Sequence, residues 1–281
     1  MRSDTETLYQ QKANQVIDYI SANLVQPLAL DILANHINVS RRQLLRIMRS
    51  CLNESLSAYI ARQRVERSVL YMQNEQMNLT QLAEMTGYDN PQSFSKAFKK
   101  HFGISPKMYI NELQAKLEGY VKSSGNRQNP QSEVCEVDDL ELVYIRIIGK
   151  YGESELYNTA WDKLVRFLSD NQALSEKTRF IGISFDDPNV TKSGQCRFYA
   201  CALAEKKIAP KGEFGTIRLR KGKYAVYTLK GSYSGLQELY NNISVNFDYR
   251  LRYGLAFEEY LNSPIDTKEK ELITKIFIPV T

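Results

Sequence analysis

The sequence predicts two domains of different class: an all-α region with two helix-turn-helix units, then an α+β region of duplicated β-α-β-β halves. Three observations lead there. Two segments, Leu30–Met48 and Asn78–Tyr109, each read as a short helix, a tight turn and a second helix, and the second helices begin at Ser40 and Asn90, fifty positions apart. From Leu142 onward the apolar residues leave helical spacing for β-rich runs such as LVYIRII. Within that later region a strand, a Gly-x-Tyr turn and a helix recur from Gly149 to Gly231, a shift of 82, and Pro188 recurs as Pro264, a shift of 76.

At 281 residues, 43% hydrophobic and 25% charged, the chain can hold two ordinary globular cores. Its net charge is only +5, but the distribution is uneven. Eleven basic residues face five acidic ones between Arg41 and Lys107, a surplus larger than that of the whole chain. That placement suits contact with phosphates. The polar start MRSDTETLYQQ has no signal-peptide core and no run of residues is apolar enough to span a membrane, so a cytoplasmic, nucleoid-associated protein is expected. The four cysteines (Cys51, Cys135, Cys196, Cys201) lack metal-motif spacing and read as free thiols in a reducing compartment.

Taken in order, Val16–Leu24 is a short amphipathic helix that ends before Pro27 and packs under the first reader. In the first motif, Asn38 follows Ala34 by four, where a left-handed backbone is needed, and Ser40 can cap the next helix. Leu44, Ile47 and Met48 make its apolar face, opposite a face rich in arginine. Leu56–Met72 lacks Gly and Pro and predicts one long helix, able to hold the two readers apart. The polar stretch Asn74–Asn78 follows. In the second motif Gly87 stands where Asn38 stood, Asn90-Pro91 starts a helix, and Phe94, Phe98 and Phe102 form one stripe. Gly119–Ser132 is rich in Ser, Asn, Gln, Gly and Pro and reads as a linker, giving domains 1–118 and 134–281 around a linker at 119–133. Beyond it come strands at Leu142–Ile148, Arg179–Phe185, Gln195–Ala204, Tyr224–Leu229, Phe257–Leu261 and Leu272–Val280. Helices are expected at Glu155–Leu168 and from the Gly231 turn to about Phe247. Related halves often leave a groove between them, a natural ligand site.

The second motif, with Gly87-Tyr88, Phe94, Phe98-Lys99, Phe102-Gly103, Pro106 and Tyr109, resembles the DNA-binding domain of the AraC/XylS family of bacterial transcription regulators over residues 9 to 116. The later region resembles the GyrI-like effector-binding domain through Trp161, Asp186-Asp187-Pro188, Arg197, Gly222-Lys223-Tyr224, Gly231-Ser232-Tyr233, Phe257-Glu258-Glu259-Tyr260 and Ile278-Pro279-Val280. With the DNA-binding module first, the order is that of the Rob-like members. The resemblance implies a sequence-specific DNA-binding regulator, read as an activator, acting as a monomer on double-stranded promoter DNA with RNA polymerase as a partner.

Carried over by resemblance, the base-facing positions of the first reader are Arg42, Leu45 and Arg46, and those of the second are Pro91, Gln92, Ser93 and Lys96. Arg41 belongs to the same basic face, and Ser40, Lys99 and Lys100 are assigned to phosphates. Well-known relatives carry Trp and Gln where Arg42 and Leu45 stand and Arg where Lys96 stands, so their DNA sequence cannot be borrowed. Held about 34 Å apart, the two readers would enter successive major grooves. In the later domain the resemblance points to Glu258 in an aromatic groove lined by Trp161, Tyr151 and Tyr224, suited to an amphipathic, cationic effector. Two other readings of that domain are a protein-interaction module without a small ligand and a hydrolase with a buried Glu as general base. The sequence has no nucleotide loop, no nucleophile elbow and no metal triad, so no cofactor or metal and no enzymatic role are expected.

Overall fold

The computed structural model describes residues 2–52, 54–74, 77–123, 130–252 and 254–281. It divides into two compact units: the first runs to Lys122 and takes in Lys211–Glu213, and the second comprises Ser123–Pro210 and Phe214–Thr281.

The first unit is helical throughout. Its opening helix α1 (Arg2–Ala22) starts far ahead of the expected Val16. The reason is that half-buried Tyr9 and buried Ala13 continue the stripe of Val16, Ile17 and Ile20 by one helical turn each. Helices α2 (Leu30–His36) and α3 (Arg41–Cys51) form the first motif, and α1 packs on both. The turn between them carries Asn38 at φ 52°, as its spacing predicted, and the Ser40 hydroxyl accepts from the Gln43 amide at 3.2 Å. The long helix α4 (Leu56–Asn74) touches α3 on one side and α5 (Leu79–Met85) and α6 (Pro91–Phe102) on the other. Asn78 and Gln81 cap α5 reciprocally, Gly87 turns the chain at φ 81°, and the Asn90 side chain accepts from Ser93 N at 2.8 Å to start α6. Phe94 and Phe98 are fully buried, and Phe98 lies 4.5 Å from the Phe102 ring. Helix α7 (Pro106–Ser123) then runs into the stretch read as linker, so Gly119–Ser123 are helical and residues 124–129 lie outside the described ones.

Side chains of α4 tie this unit together. Arg62, 7% exposed, donates to Glu54 at 2.6 and 2.9 Å and to Glu66 at 3.0 Å, and His101 Nε2 lies 3.1 Å from Glu66. Arg64 donates to the carbonyls of Leu24 and Gln26 at 2.9 Å each and lies over the Tyr88 ring. Thus α4 bonds to the segment after α1, the turn after α3, the second turn and the end of α6.

The second unit is one eight-stranded antiparallel sheet with two helices on one face. Its elements are β1 (Ser132–Val137), β2 (Leu140–Ile148), α8 (Ser154–Asp170), β3 (Arg179–Ser184), β4 (Arg197–Leu203), β5 (Phe214–Leu219), β6 (Gly222–Lys230), α9 (Leu236–Val245), β7 (Phe257–Tyr260) and β8 (Ile273–Val280). Strands β1 and β5 were not expected from sequence, and Ser132 and Glu133 of β1 were assigned to the linker. Both are partly exposed edge strands, so half their residues are polar and the apolar signal is thin. They complete the duplication: each half is a leading strand followed by the expected β-α-β-β. Starts shift by 82 from Ser132 to Phe214, from Leu140 to Gly222 and from Ser154 to Leu236.

Strand order is β1-β6-β8-β7-β3-β4-β2-β5, so each half's leading strand pairs with the other half. Registers obey the same repeat. Val143 pairs with Thr216 and Ala225 with Val134, both partners related by 82. At the centre Ile181 faces Glu259, while Phe180 faces Tyr260 and Gly182 faces Glu258, so a pseudo-twofold axis passes between β3 and β7. Helix α8 covers Val143, Ile145, Phe198 and Ala200, and α9 covers Ala225, Tyr227 and Ile276. The opposite face carries a second apolar cluster, with Leu142, Tyr144, Ile181, Tyr199, Tyr224 and Phe257 buried and Phe185 and Leu255 from beyond the strand ends packed against them.

Candidate functional site

In the first unit the proposed readers are exposed as a DNA-facing surface requires. Arg41, Arg42, Leu45 and Arg46 on α3 and Gln92, Ser93, Lys96, Lys99 and Lys100 on α6 are all exposed, and Pro91 at the start of α6 is half-buried. Two arginines of α3 are already engaged. Arg41 forms a two-pronged pair with Asp31, which holds the Asp31 carboxyl below its ordinary range through that hydrogen bond. Arg46 donates to the Tyr9 hydroxyl and lies over the Tyr9 ring. Ser40 spends its acceptor on the helix cap, leaving its hydroxyl hydrogen available. Leu45 is 44% exposed, an apolar side chain on an otherwise polar face.

In the second unit Glu258 sits on the helix-covered face of β7, 5% exposed. No cation lies within ion-pair distance of it among the described residues; its neighbour Glu259, on the other face, takes Arg179 at 2.6 Å. Instead the hydroxyls of Tyr260 and Tyr240 donate to its two oxygens at 2.6 and 2.9 Å. Burial raises the Glu258 carboxyl, and these two hydrogen bonds lower it part of the way back. Burial, and after it the same carboxylate, push both tyrosines well above the ordinary phenol range.

Aromatic rings enclose this pair. Trp161 of α8 meets the Tyr260 ring edge-on at 5.6 Å and Phe180 at 6.0 Å, and Tyr233 meets Tyr260 at 5.5 Å. Tyr157 of α8 lies tilted against Phe198 at 4.6 Å and feels the Glu258 charge. Opposite Glu258 in register is Gly182, where a Cβ would collide with the Tyr260 hydroxyl and stand 2.8 Å from the Phe198 ring. This glycine is the gap through which Tyr260 reaches the carboxylate.

Of the sequence-derived ligand residues, the structure brings Glu258 and Trp161 together. Tyr151 is close enough for its charge to act on Tyr240, but its own hydroxyl donates to the Arg197 carbonyl at 2.8 Å and accepts from the Asp186 amide at 3.1 Å. Tyr224 must be corrected: it packs against Phe257 and Phe277 on the opposite face. The turn register sends Ala225 and Tyr227 toward α9, so Tyr224 points away from Glu258. Sequence reading missed Tyr240, Tyr260, Tyr157 and Gly182 as site residues. Tyr260 was legible, because residues two apart on a strand share a face. So was Tyr233, the Gly-x-Tyr counterpart of Tyr151 at a shift of 82.

Residues 130–281 match the model of the GyrI-like small molecule binding domain. The chain belongs to this family. Ahead of the GyrI-like domain, residues 33–112 match a helix-turn-helix domain, a stretch that holds the second motif and all but the first three residues of the first. The HTH-type transcriptional regulator GbdR of Pseudomonas aeruginosa is 35% identical over 98 residues, 35% of this chain but 27% of that protein. The HTH-type transcriptional activator AarP of Providencia stuartii is 31% identical over 96 residues, 34% of this chain and 71% of that protein. The chain thus spans only about a quarter of GbdR. The Right origin-binding protein of Escherichia coli K12 is 22% identical over 252 residues, 86% of this chain and 87% of that protein, so its alignment extends across both domains. No helix among the described residues is long and apolar enough to cross a membrane.

Proposed function

We propose that this chain is a DNA-binding transcription regulator of the AraC type whose GyrI-like domain binds an amphipathic organic cation. The DNA half reads promoter DNA as a monomer, with α3 and α6 in successive major grooves, and contacts RNA polymerase as an activator. What supports this half is the exposure of both basic helices on a unit tied together by α4.

The ligand half rests on one observation: a buried carboxylate held by two tyrosine hydroxyls, ringed by aromatics, with no cation paired to it among the described residues. Such a group keeps a favourable electrostatic interaction in reserve for a ligand cation, and the aromatic faces add cation–π attraction. The half-buried Trp161 and Phe180 offer apolar surface beside it for the ligand's hydrophobic part. A ligand changes DNA binding only if it favours one state of the chain over another.

The test uses the sole tryptophan, Trp161, which contacts the ring of Tyr260. Titrating the full chain with tetraphenylphosphonium is expected to change its fluorescence saturably, with a neutral analogue of the same size much weaker. Equal responses to both probes, or none to either, would discard the cation reading.

A further inference from the structure

We propose that Tyr9, outside both helix-turn-helix motifs, is a positioning residue for base reading by Arg46. This rests on α3 being a base-reading helix. Because α1 begins at Arg2 and packs on α3, it carries Tyr9 to the exposed face of the reader. There the Arg46 guanidinium donates to the Tyr9 hydroxyl and lies 5.5 Å from the ring centroid. Tyr9 is itself fixed, half-buried against the core of the first motif.

The consequence follows from arginine's flexibility. A free arginine loses rotamer entropy when it grips a base edge, and a contact that orders the side chain beforehand reduces that loss. The tyrosine uses one end of the planar guanidinium fork. The remaining donors stay available for the two acceptors of a guanine edge. Neighbouring arginines differ: Arg41 is held by a carboxylate, which competes with a phosphate by charge, whereas the neutral hydroxyl of Tyr9 leaves the full positive charge of Arg46 for DNA. Tyr9 orders the arginine without neutralising it.

The test uses duplexes recovered from a randomised pool by the full chain. Tyr9→Phe keeps the ring and its packing and removes only the hydroxyl. It is expected to weaken the selected duplex about two- to tenfold, the range of one exposed hydrogen bond. Binding to unrelated DNA and the salt dependence should stay unchanged. In an Arg46→Ala background the Tyr9→Phe effect should vanish, as it should on a duplex whose Arg46-contacted guanine is changed to adenine. These two controls hold even if the variant alters stability. Unchanged affinity in Tyr9→Phe, or tighter binding, overturns the inference, the latter making Tyr9 a competitor. If Arg46→Ala itself changes neither affinity nor specificity, the base-reading role of α3 falls and the inference with it. If Arg46→Ala matters and Tyr9→Phe does not, only the inference falls.

Discussion

The Tyr260 hydroxyl reaches Glu258 Oε2 at 2.6 Å from two positions along the same strand, across the gap left by Gly182 on β3. Three short-range facts make that contact: period-two alternation puts both side chains on one face, antiparallel register sets Gly182 opposite Glu258, and glycine has no Cβ. Gly182→Ala should therefore displace Tyr260 and the Phe198 ring. The expected cost is about 1–3 kcal/mol of stability in this unit, as for overpacking elsewhere. Trp161, in contact with both rings, should report the shift. A variant with wild-type unfolding midpoint and Trp161 emission would mean that the gap is not needed.

Glu258 gives the proposed cation site a definite pH dependence. Burial raises its carboxyl from the ordinary 4.5, so the folded state favours the protonated form. Stability owed to this group is gained as pH falls from the raised folded value toward 4.5 and lost as pH rises through the folded value. Cation affinity runs the other way, since the ligand needs the carboxylate. Affinity for tetraphenylphosphonium should begin to decline on acidification before pH 4.5 is reached. Glu258→Gln should bind about ten- to a hundredfold more weakly, the scale of one charge-assisted contact, with no pH dependence over that window. Wild-type affinity that stays level down to pH 4.5 would separate cation binding from Glu258.

Much of the helical half was legible because its signals are local. A left-handed residue four positions after an alanine, a cap before each reader and a phenylalanine every fourth residue are each set by neighbours in sequence, and Asn38, Gly87, Ser40 and Asn90 all take the expected geometry. The sheet was legible in number of repeats but not in facing. Strands β2 and β6 are buried on both sides, so LVYIRII and KYAVYTL show no alternation to say which residues look toward the helices. Tyr224 was misplaced for that reason. The Glu258 site depends on cross-strand register and on α9 bringing Tyr240 over β7, neither of which is written in any one segment.

The two turns differ in how much they depend on their residue. Gly87 has φ 81° and a Cβ there would stand 2.8 Å from the Leu24 carbonyl oxygen and 3.0 Å from the Arg64 guanidinium. Gly87→Ala should cost more than about 2 kcal/mol, left-handed strain plus the clash. Asn38 has the milder φ of 52°, which asparagine tolerates, so Asn38→Gly should change stability by no more than about 1 kcal/mol. Far-UV circular dichroism during denaturation follows the helical unit. Equal effects at the two positions would show that backbone strain does not govern these turns.

Arg62 is the buried charge on which α4 depends. It pairs with Glu54 and Glu66, and removing it leaves two largely buried carboxylates without their cation. Arg62→Ala should destabilise the helical unit by about 3–5 kcal/mol, the usual penalty for breaking such a pair. Arg62→Met, which keeps the stem but not the charge, should fare little better, because the carboxylates remain. If Arg62→Met matches wild type, packing rather than charge holds the network.

Lys99 and Arg46 should separate positioning from reading. Lys99, proposed to meet a phosphate, is exposed on the last turn of α6, whereas Arg46, proposed to read a base, stands on the exposed face of α3. A phosphate contact carries no sequence information but releases a counterion. Lys99→Ala should weaken selected and unrelated duplexes alike and lower the slope of log affinity against log salt by about one. Arg46→Ala should cost about 1–3 kcal/mol on the selected duplex and relax preference at one base pair. Binding measured at several salt concentrations on both duplexes distinguishes them. The same pattern from both variants would mean that Arg46, too, touches only the backbone, and the first motif would then position the chain while α6 alone reads sequence.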